Sequence, residues 1–288
     1  MTSMDSQVTV LMSVYNGLPF LERAIKSIVN QTFSDFEFLI VDDASTDGSS
    51  EILRTWSKRD DRIRIITNET NQGLGYCLDL GVKDARAPLI ARMDDDDVSL
   101  PRRLQTQIDY LQRNPEVDVL SSWAIDCDAN ETPMRVRQCP IRHEDIRRLV
   151  WTIPFIHPAV VFKRDAVLKV GSYDPSLRRR QDYDLWFRCA AADLRFANIA
   201  EPLILYRFTG DYYSKNDWRV ALDQARIGWR GCKLVGAGPV AYIGVMAPLL
   251  RSLLPGPIQG IAHKIMNRLD PRRSEDFVPD EILLDGQS

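Results

Sequence analysis

Residues 88–97 read PLIARMDDDD, a short apolar run that closes with four consecutive aspartates, Asp94–Asp97. Pro88 and a helix start predicted near Pro101 bound the run, a pattern typical of a buried β-strand. Acids at the carboxyl end of such a strand would lie at the edge of an open α/β sheet, where these folds bind ligands. Because adjacent carboxylates repel one another, a hard divalent cation would stabilise them. The pattern predicts a metal and phosphate site at residues 94–97, and a solvated acidic surface is the alternative.

The chain on either side of this run alternates between strand and helix patterns. Apolar runs predict strands at 8–13, 36–41, 63–67, 88–93 and 117–120, and residues at helical spacing predict helices at 18–31, from 47, at 74–83 and at 101–113. This alternation indicates an α/β fold, with a mostly parallel, Rossmann-like central sheet and helices on both faces.

Polar residues follow the carboxyl ends of the other predicted strands as well. Besides the four aspartates they are Tyr15, Asp42, Asp43 and Asn68. Since the carboxyl ends of parallel strands meet at one edge of a sheet, we expect these side chains to converge there.

Three other motifs are incomplete or absent. Residues 43–48 resemble the first half of an EF-hand loop, but Arg54 stands where that loop needs a glutamate. Gly73 and Gly75 lack the third glycine of a dinucleotide-binding loop, and the sequence has no Gly-x-x-x-x-Gly-Lys loop. Calcium binding of the EF-hand type, dinucleotide binding and ATP hydrolysis are therefore disfavoured.

Composition excludes further classes. The net charge is −3 over 288 residues, which argues against a nucleic-acid-binding protein. The five cysteines form no Cys-x-x-Cys pair and only three histidines are present, so zinc-binding spacing is absent. Isolated cysteines and the lack of a signal-peptide pattern predict a cytoplasmic protein.

The carboxyl-terminal part differs in charge from the rest. Residues 215–273 contain ten Lys/Arg and three Asp/Glu, a formal +7 that leaves −10 for the remainder. Within this part, residues 234–250 are uncharged but contain three glycines and two prolines, which argues against a membrane span. We expect this segment to lie on the inner face of the cytoplasmic membrane. The alternative is a helix pair that packs on the body or at a homodimer interface.

The middle of the chain offers fewer signals. Residues 122–139 predict an excursion of strands beside an acceptor pocket, and residues 157–162 predict a buried strand that opens with His157. Three arginines, 178–180, precede Gln181 and a helix predicted at 182–192. Asp182 is in the position of a helix N-cap, which is its simplest structural role.

Four segments, taken together, resemble glycosyltransferase family 2. They are VLMSVYN at 10–16, IVDDASTD at 40–47, MDDDD at 93–97 and QDYDLW at 181–186, in the order and rough spacing of that family. The resemblance covers about residues 7–208. It implies an inverting enzyme of the GT-A fold that uses a nucleotide-sugar donor.

The resemblance also implies roles for the residues at the first two strand ends. Tyr15 would stack on the nucleobase, and Asp43, with Asp42 beside it, would hydrogen-bond the base or ribose. Ser13, Asn68 and Asp95 are assigned to the same nucleotide site. The alternatives are that Tyr15 is a turn aromatic and that the two aspartates cap the following helix.

The family's Asp-x-Asp motif corresponds to residues 94–96. Asp96 is the expected direct ligand of Mn²⁺ or Mg²⁺, and Asp94 is expected to contact the ribose or the metal. Such an ion would stabilise the negative charge that develops on the departing diphosphate. Strand alternation turns only some of the four acids inward, so at least one should be solvated.

The family's Glu-Asp motif corresponds to Gln181 and Asp182. Its aspartate is the general base, so Asp182 is the expected base and Asp184 the alternative. Gln181 departs from the family's glutamate, which puts that residue's supporting role in question. The resemblance places His157, Arg180 and Gln181 near the acceptor or the diphosphate, whereas a lone histidine is as often a hydrogen-bonded core residue.

The expected organisation is a catalytic domain at 1–210, a basic and apolar helical segment at 211–273 and a flexible tail at 274–288. The catalytic domain would comprise a nucleotide-sugar half at about 7–120 and an acceptor half at 121–210. The expected activity moves a sugar from a nucleotide diphosphate, by default UDP, to a glycan or lipid-linked acceptor. The alternatives are a nucleotidyltransferase, whose Arg-containing glycine-rich loop is missing after the first strand, and a non-catalytic sugar- or lipid-binding protein. A phosphatase of the Asp-x-Asp-x-Thr type is disfavoured, because Ala44 interrupts that motif where it would begin at Asp42.

Overall fold

The computed structural model describes residues 6–208 and 218–252. Its first half contains four parallel strands in the order β3-β2-β1-β4. The strands are β1 (Val8–Val14), β2 (Phe36–Asp42), β3 (Ile63–Thr67) and β4 (Leu89–Met93), and the helices between and after them are α1 (Leu21–Val29), α2 (Ser49–Ser57), α3 (Leu74–Asp84) and α4 (Arg103–Arg113). The predicted alternation and the predicted α/β class are confirmed.

The second half extends the same sheet with mixed strand directions. β8 (Val161–Lys163) runs antiparallel to β4 and to β6 (Val119–Cys127), and β6 runs parallel to β9 (Phe196–Arg207). Two short strands flank this part, β5 (Val98–Ser99) on β9 and β7 (Pro133–Arg137) on β6. The helices of this half are α5 (His143–Arg148), α6 (Arg164–Lys169) and α7 (Gln181–Ala191).

Two strand bounds differ from the sequence prediction by more than two residues. The predicted strand at 117–120 continues to Cys127, and the strand predicted from His157 begins only at Val161. Residues His157–Ala159 form a 3₁₀ turn instead. Pro158 explains the change, because proline has no N–H to donate to a strand ladder.

Helices cover both faces of the sheet. Side chains of β1 alternate between two apolar clusters: Met12 packs with residues of α1 and α4, whereas Leu11 packs with residues of α3 and α7. Every residue of β1 and β2 is buried, as expected for central parallel strands. The core therefore lies in two layers, one on each side of the sheet.

Two further helices, α8 (Trp218–Leu234) and α9 (Pro239–Ser252), pack against the body. Glycines allow the close approach: a Cβ at Gly231 would overlap the ring of Phe187 on α7, and one at Gly244 would overlap the indole of Trp151. The predicted carboxyl-terminal helical segment is thus present. Among residues 6–208 and 218–252, neither of these helices nor any other combines the length and apolarity needed to cross a bilayer.

The carboxyl ends of the first four strands form a single row. In the register of the sheet Asp42 lies between Val14 and Thr67, and Met93 lies beside Met12. The loops that follow these strands therefore leave from one edge, as the sequence predicted.

Candidate functional site

The loop after β1 is fixed by the loop after β2. The backbone amides of Asn16, Gly17 and Leu18 donate to side-chain oxygens of Ser45, Ser49 and Asp47 at 3.0–3.1 Å. Tyr15, at the start of this loop, is 51% exposed. Its ring is therefore accessible at the edge of the sheet, where a planar base could stack on it.

Asp42 and Asp43 are both buried, and each is used inside the protein. The Asp42 carboxylate accepts hydrogen bonds from the Ser45 amide at 3.0 Å and the Ser50 hydroxyl at 2.5 Å. The Asp43 carboxylate accepts from the side chain of Asn68 and from the backbone amides of Gln72 and Gly73, at 2.7–2.9 Å. These bonds fix the loops after β2 and β3 relative to each other. The nucleotide-binding roles of both aspartates, and those of Ser13, Tyr15 and Asn68, stay predictions.

Asp43 remains ionised in spite of its burial. Burial alone would raise the pKa of this carboxyl, but the hydrogen bonds from Gln72, Asn68 and Gly73 outweigh it and hold the pKa below its ordinary value. A permanent carboxylate at this edge can accept hydrogen bonds from a nucleoside through the lone pairs that the internal bonds leave.

The acid run brings three carboxylates together. Oxygens of Asp94, Asp96 and Asp97 lie within 4.8 Å of one another. Asp95 points elsewhere, because a Cβ built on Gly17 would lie 2.8 Å from its Oδ2. The run therefore divides, with Asp95 against the loop after β1 and the other three acids in one cluster.

Crowding and burial suppress the ionisation of three acids of the run, Asp95, Asp96 and Asp97. Burial, followed by the charges of Asp96 and Asp94, raises the pKa of Asp95 to about 8. Burial and the charge of Asp94 raise the pKa of Asp96 to about 6, and the pKa of Asp97 lies well above its ordinary value for the same reasons. A positive charge placed in the cluster would reverse this effect.

Arg92 supplies one such charge from within the core. It lies on β4, is 1% exposed and forms an ion pair with Asp94. Apart from this pairing with Asp94, its guanidinium nitrogens have no hydrogen-bond partner among the residues that the structure describes. Arg103 on α4, fully buried, fixes this end of β4 by donating to the Arg92 carbonyl at 2.6 Å.

Arg207, the last residue of β9, holds the acid run from the other side. Its backbone N–H donates to Asp97 Oδ1 at 2.7 Å. Its guanidinium donates to Asp96 O at 2.7 Å, and also to Ala129 O, Asp128 O and the Glu131 carboxylate in the turn between β6 and β7. Only 6% of Arg207 is exposed. This one side chain thus joins three chain segments around the cluster.

Asp182 lies in the first turn of α7, on the acceptor half. Burial raises its pKa, and the charges of Arg180 and Arg92 act in the opposite direction. The N-cap of α7 is Arg180, in a left-handed conformation, so the capping role considered for Asp182 is not the one it has. Asp184, the alternative base, pairs with Arg188 one turn along the helix at 2.8 Å.

Electrostatics show that Asp182 and the acid run share one region. Arg92 acts on the ionisation of Asp182 as well as on that of Asp95, Asp96 and Asp97. The hydroxyl of Tyr173, whose pKa is raised mainly by burial, lies in the fields of both Asp182 and Asp94. The structure therefore brings together the two motifs that the sequence separates by more than eighty residues.

His157 belongs to the buried side of this region. Its Nε2 lies 2.9 Å from the Tyr173 hydroxyl, and burial together with the charge of Arg92 lowers its pKa well below the ordinary value. The imidazole is therefore neutral and hydrogen-bonded. Its predicted contact with the acceptor or the diphosphate stays a prediction.

The segment before α7 packs on the start of α3. The carbonyls of Leu177 and Asp174 lie so close to Gly75 that a Cβ there would overlap them, and Arg178 lies over Gly73. This contact brings Arg180 and Gln181 toward the nucleotide half. Gln181 is 4% exposed, and its Oε1 has no hydrogen-bond partner within the described residues.

The residues of the acid cluster fit a divalent cation. Carboxylate oxygens are the ligands that Mg²⁺ and Mn²⁺ prefer, and burial together with neighbouring negative charge raises the pKa values of Asp96 and Asp97. Asp97 Oδ2 is buried and has no hydrogen-bond partner among the residues described. Asp96 and Asp94, the ligands expected from the sequence, are thus joined by Asp97.

Sequence reasoning missed three buried residues around the cluster: Arg92, Arg103 and Arg207. Arg92 could have been found, because an arginine inside an apolar strand run must be paired. Arg207 gave no such signal, because its contacts with Asp96 and Asp97 span more than a hundred residues.

Comparison with known proteins identifies the family. The sequence model of "Glycosyl transferase family 2" matches residues 9–171. An uncharacterised glycosyltransferase of Methanocaldococcus jannaschii is 37% identical over 204 residues, 69% of this chain and 70% of the relative. The putative glycosyltransferase EpsE of Bacillus subtilis is 29% identical over 91% of this chain and 95% of its own. UDP-Gal:alpha-D-GlcNAc-diphosphoundecaprenol beta-1,3-galactosyltransferase of Escherichia coli is 30% identical over 70% of this chain and 74% of its own.

Solved structures share the fold. TarS residues 1–349 of S. aureus, in complex with UDP-GlcNAc, align with a TM-score of 0.66 at 17% identity, over 85% of this chain and 72% of that one. Mannosyltransferase PcManGT of Pyrobaculum calidifontis, in complex with GDP-Man and Mn²⁺, aligns with a TM-score of 0.61 at 18% identity, over 93% and 76%. With the family match over more than half of its length, this chain belongs to glycosyltransferase family 2 and is a glycosyltransferase with a GT-A fold.

Proposed function

We propose that the chain is a metal-dependent inverting transferase that moves a sugar from UDP to a hydroxyl of a glycan or lipid-linked acceptor. The observation that carries the proposal is that Arg92 acts on both groups: it forms an ion pair with Asp94 of the acid cluster, and its charge acts on the ionisation of Asp182. The acid cluster is suited to binding a diphosphate with its metal ion, and Asp182 is suited to accepting the proton of a hydroxyl group. The catalytic unit we propose comprises residues 1–210, followed by an attachment segment at 211–273 and a tail at 274–288.

Asp182 acts as the general base. Its carboxylate accepts the proton of the acceptor hydroxyl while the hydroxyl oxygen bonds to the anomeric carbon of the sugar. The bond from that carbon to the diphosphate breaks, UDP departs with the electron pair, and the configuration inverts. The raised pKa of Asp182 makes it a stronger proton acceptor than an ordinary aspartate. Because Asp184 is committed to Arg188, it is the poorer candidate.

Asp96 and Asp94, with Asp97 beside them, would hold Mn²⁺ or Mg²⁺, which neutralises charge on the departing diphosphate. Arg92 and Arg207 hold the same acids from within the protein. The complex of PcManGT with GDP-Man and Mn²⁺ supports the choice of metal class.

The nucleoside occupies the edge formed by the loops after β1, β2 and β3. Tyr15 stacks on the base, while Asp42, Asp43, Asp95, Ser13 and Asn68 line the rest of the site. UDP is the proposed carrier, since TarS was solved with UDP-GlcNAc.

The acceptor site lies on the α7 side of the acid cluster, next to Asp182. His157, Arg180 and Gln181 lie toward it, and the unpartnered Oε1 of Gln181 is available to a sugar hydroxyl. The E. coli relative is named for a diphosphoundecaprenol-linked acceptor, which supports a lipid-linked glycan here and a role in polysaccharide assembly. We therefore propose a cytoplasmic enzyme at the inner face of the membrane.

Three variants test this assignment with two measurements. Asp96→Asn should lose the Mn²⁺-dependent part of UDP binding in calorimetry and also lose transfer. Asp182→Asn should bind UDP and Mn²⁺ normally but turn over at least about a hundredfold more slowly, the usual contribution of a positioned base. Asp184→Asn, the matched control on the same helix turn, should keep most of both.

Turnover is followed as UDP release from a panel of UDP-sugars with a polyprenyl-diphosphate-linked sugar as acceptor. A nucleotidyltransferase would instead release inorganic diphosphate when it is given UTP and a sugar 1-phosphate. Normal turnover of Asp182→Asn would transfer the base role elsewhere, and unchanged Mn²⁺-linked UDP binding by Asp96→Asn would refute the metal site.

A further inference from the structure

The solvent-facing side of α8 carries a basic stripe. Arg219, Arg226, Arg230 and Lys233 are all exposed and recur at spacings of seven, four and three residues, which places them on one side of a helix. Asp223 is the only acid in the helix. The buried side of α8 is formed by small residues, among them Ala225, Gly228 and Gly231. The helix is therefore amphipathic in an unusual sense, with small residues inward and positive charge outward.

The solvent-facing side of α9 is apolar. Val240, Ile243 and Leu250 are 72%, 70% and 58% exposed, and their spacing of three and seven residues puts them on one stripe. The helix contains no charged residue before Arg251. Its opposite side, with Ala241 and Val245, is buried against the body. The exposed stripe is thus additional to the face that the fold needs for packing.

Aromatic residues lie on the border between the two stripes. The ring of Trp229 on α8 contacts that of Tyr242 on α9, with centroids 4.8 Å apart, while half of Trp229 stays exposed. Trp218 lies eleven residues earlier, close to the same side of α8, and is 50% exposed. Across the helix pair, the exposed side chains therefore change from cationic on α8, through aromatic at the border, to apolar on α9.

We propose that this helix-pair surface, formed by the basic stripe of α8, Trp218 and Trp229, and the apolar stripe of α9, docks on an anionic lipid bilayer. Basic side chains contact anionic head groups, tryptophans favour the interface between head groups and acyl chains, and an apolar stripe enters that boundary. The inference builds on the lipid-linked acceptor of the proposed function, but the observations that define the surface do not depend on that acceptor.

Charge favours a bilayer over a second copy of the chain. A two-fold interface through this surface would bring two basic stripes into the same contact, where like charges repel. An anionic leaflet instead complements them.

The surface is connected to the proposed active site. Gly228 of α8 lies against the Tyr183 hydroxyl, so that a Cβ there would be 2.7 Å from it, and Tyr183 follows Asp182 on α7. A bilayer that holds α8 and α9 would therefore keep the helix of the proposed base at a fixed distance from the membrane. A lipid-linked acceptor cannot leave that membrane.

Sedimentation of the full chain with vesicles tests the proposal. The protein should bind vesicles that contain phosphatidylglycerol, ignore pure phosphatidylcholine, and be released by high salt. Ile243→Glu should weaken binding by more than about tenfold, because it puts a charge in the apolar stripe. Replacing Arg226 and Arg230 by Gln should weaken it by about fivefold for each residue.

Two matched controls separate this surface from general charge. Met134→Glu, at a residue 58% exposed on β7, and Arg113→Gln, at an exposed arginine on α4, should bind as the wild type does. Equal loss in the controls, or unchanged binding by Ile243→Glu, would overturn the proposal. So would sedimentation velocity showing that Ile243→Glu splits a dimer while vesicle binding is unaffected. Vesicle binding needs no donor, so a chain that binds lipid but transfers no sugar would refute only the proposed function.

Discussion

Buried arginines govern the chemistry of the acid run. Burial and mutual repulsion raise the pKa values of Asp95, Asp96 and Asp97 at the end of β4, and positive charge nearby acts against this rise. Arg92 pairs with Asp94 from inside the strand, and Arg207 holds Asp96 and Asp97 from β9. A divalent cation would complete a partly compensated site, not create one.

Arg207 should position the metal ligands. In Arg207→Lys the positive charge stays, but a single ammonium cannot reproduce the bonds to Asp96 O, Ala129 O and Glu131. Loss of such supporting contacts usually weakens metal binding by about ten- to a hundredfold. We expect Mn²⁺ affinity to fall in that range, and hydrogen exchange to accelerate at 94–97 and 128–131.

Arg137→Lys is the matched control for this variant. Arg137 forms a two-pronged pair with Asp126 on the neighbouring strand and stacks on Tyr206, and within the described part of the chain it does not contact the acid run. It should lose stability without losing Mn²⁺ affinity. A comparable decrease in Mn²⁺ affinity for both variants would mean that Arg207 has only a structural role.

For single residues, the sequence predicted where side chains lie in the fold better than it predicted their hydrogen-bond partners. The acids, Tyr15, Asp42 and Asn68 could be placed at one edge because strand ends are visible as local patterns. That Asp43 bonds Asn68, Gln72 and Gly73 could not be foreseen, because side-chain partners depend on how distant loops fold back. The same applies to Arg207.

Helices and strands agree with the sequence prediction where the local sequence pattern is strong. β3 begins and ends where its apolar run does, and α7 begins one residue before the predicted start. Pro158 shortens β8, and the 3₁₀ turn it favours places His157 against Tyr173 instead of in a strand. A proline in an apolar run was a visible signal that the strand would begin later.

The helix pair illustrates what periodicity alone does not reveal. Glycines at 236, 238 and 244 weigh against a membrane span, yet Gly244, like Gly228 and Gly231 of α8, serves close packing. Small residues let α8 approach α7 and α9 approach Trp151. Sequence reasoning identified a break in apolarity, whereas the structure shows that three of the small residues lie where α8 and α9 pack on the body.

Gly231→Ala should therefore destabilise the chain. Alanine is the better helix former, but its Cβ would overlap the buried ring of Phe187, and overpacking of a core costs about 1–3 kcal/mol. Urea unfolding should show the decrease. Lys233→Ala, at an exposed position on the same helix, should change the free energy of unfolding by less than about 0.5 kcal/mol. Wild-type stability in Gly231→Ala would mean that α8 does not dock closely on α7.

At the scale of the whole molecule, the two expected halves share one sheet and both cores. β8 joins them, with Phe162 paired to Ile90 of β4 and to Val119 of β6. Each apolar cluster contains residues from before and after position 120. The alternating first half could be predicted from its repeating pattern, but the order β8-β6-β9 could not, because it depends on pairings between distant segments.

A continuous sheet should unfold as one unit, although it combines a nucleotide half and an acceptor half. Phe36→Ala alters the start of β2, and Phe162→Ala alters β8, at residues 3% and 0% exposed. Each should cost about 3–5 kcal/mol, as for other buried phenylalanines. Hydrogen exchange in urea should show β2 and β9 losing protection together in the wild type. In each variant the urea concentration at which protection is lost should fall by the same amount for β2 and β9. The reason is that the two halves share both apolar clusters, so neither half has a core of its own. If Phe36→Ala shifted only β2 and Phe162→Ala only β9, the halves would be separate folding units, and the site between them would depend on docking instead of on one fold.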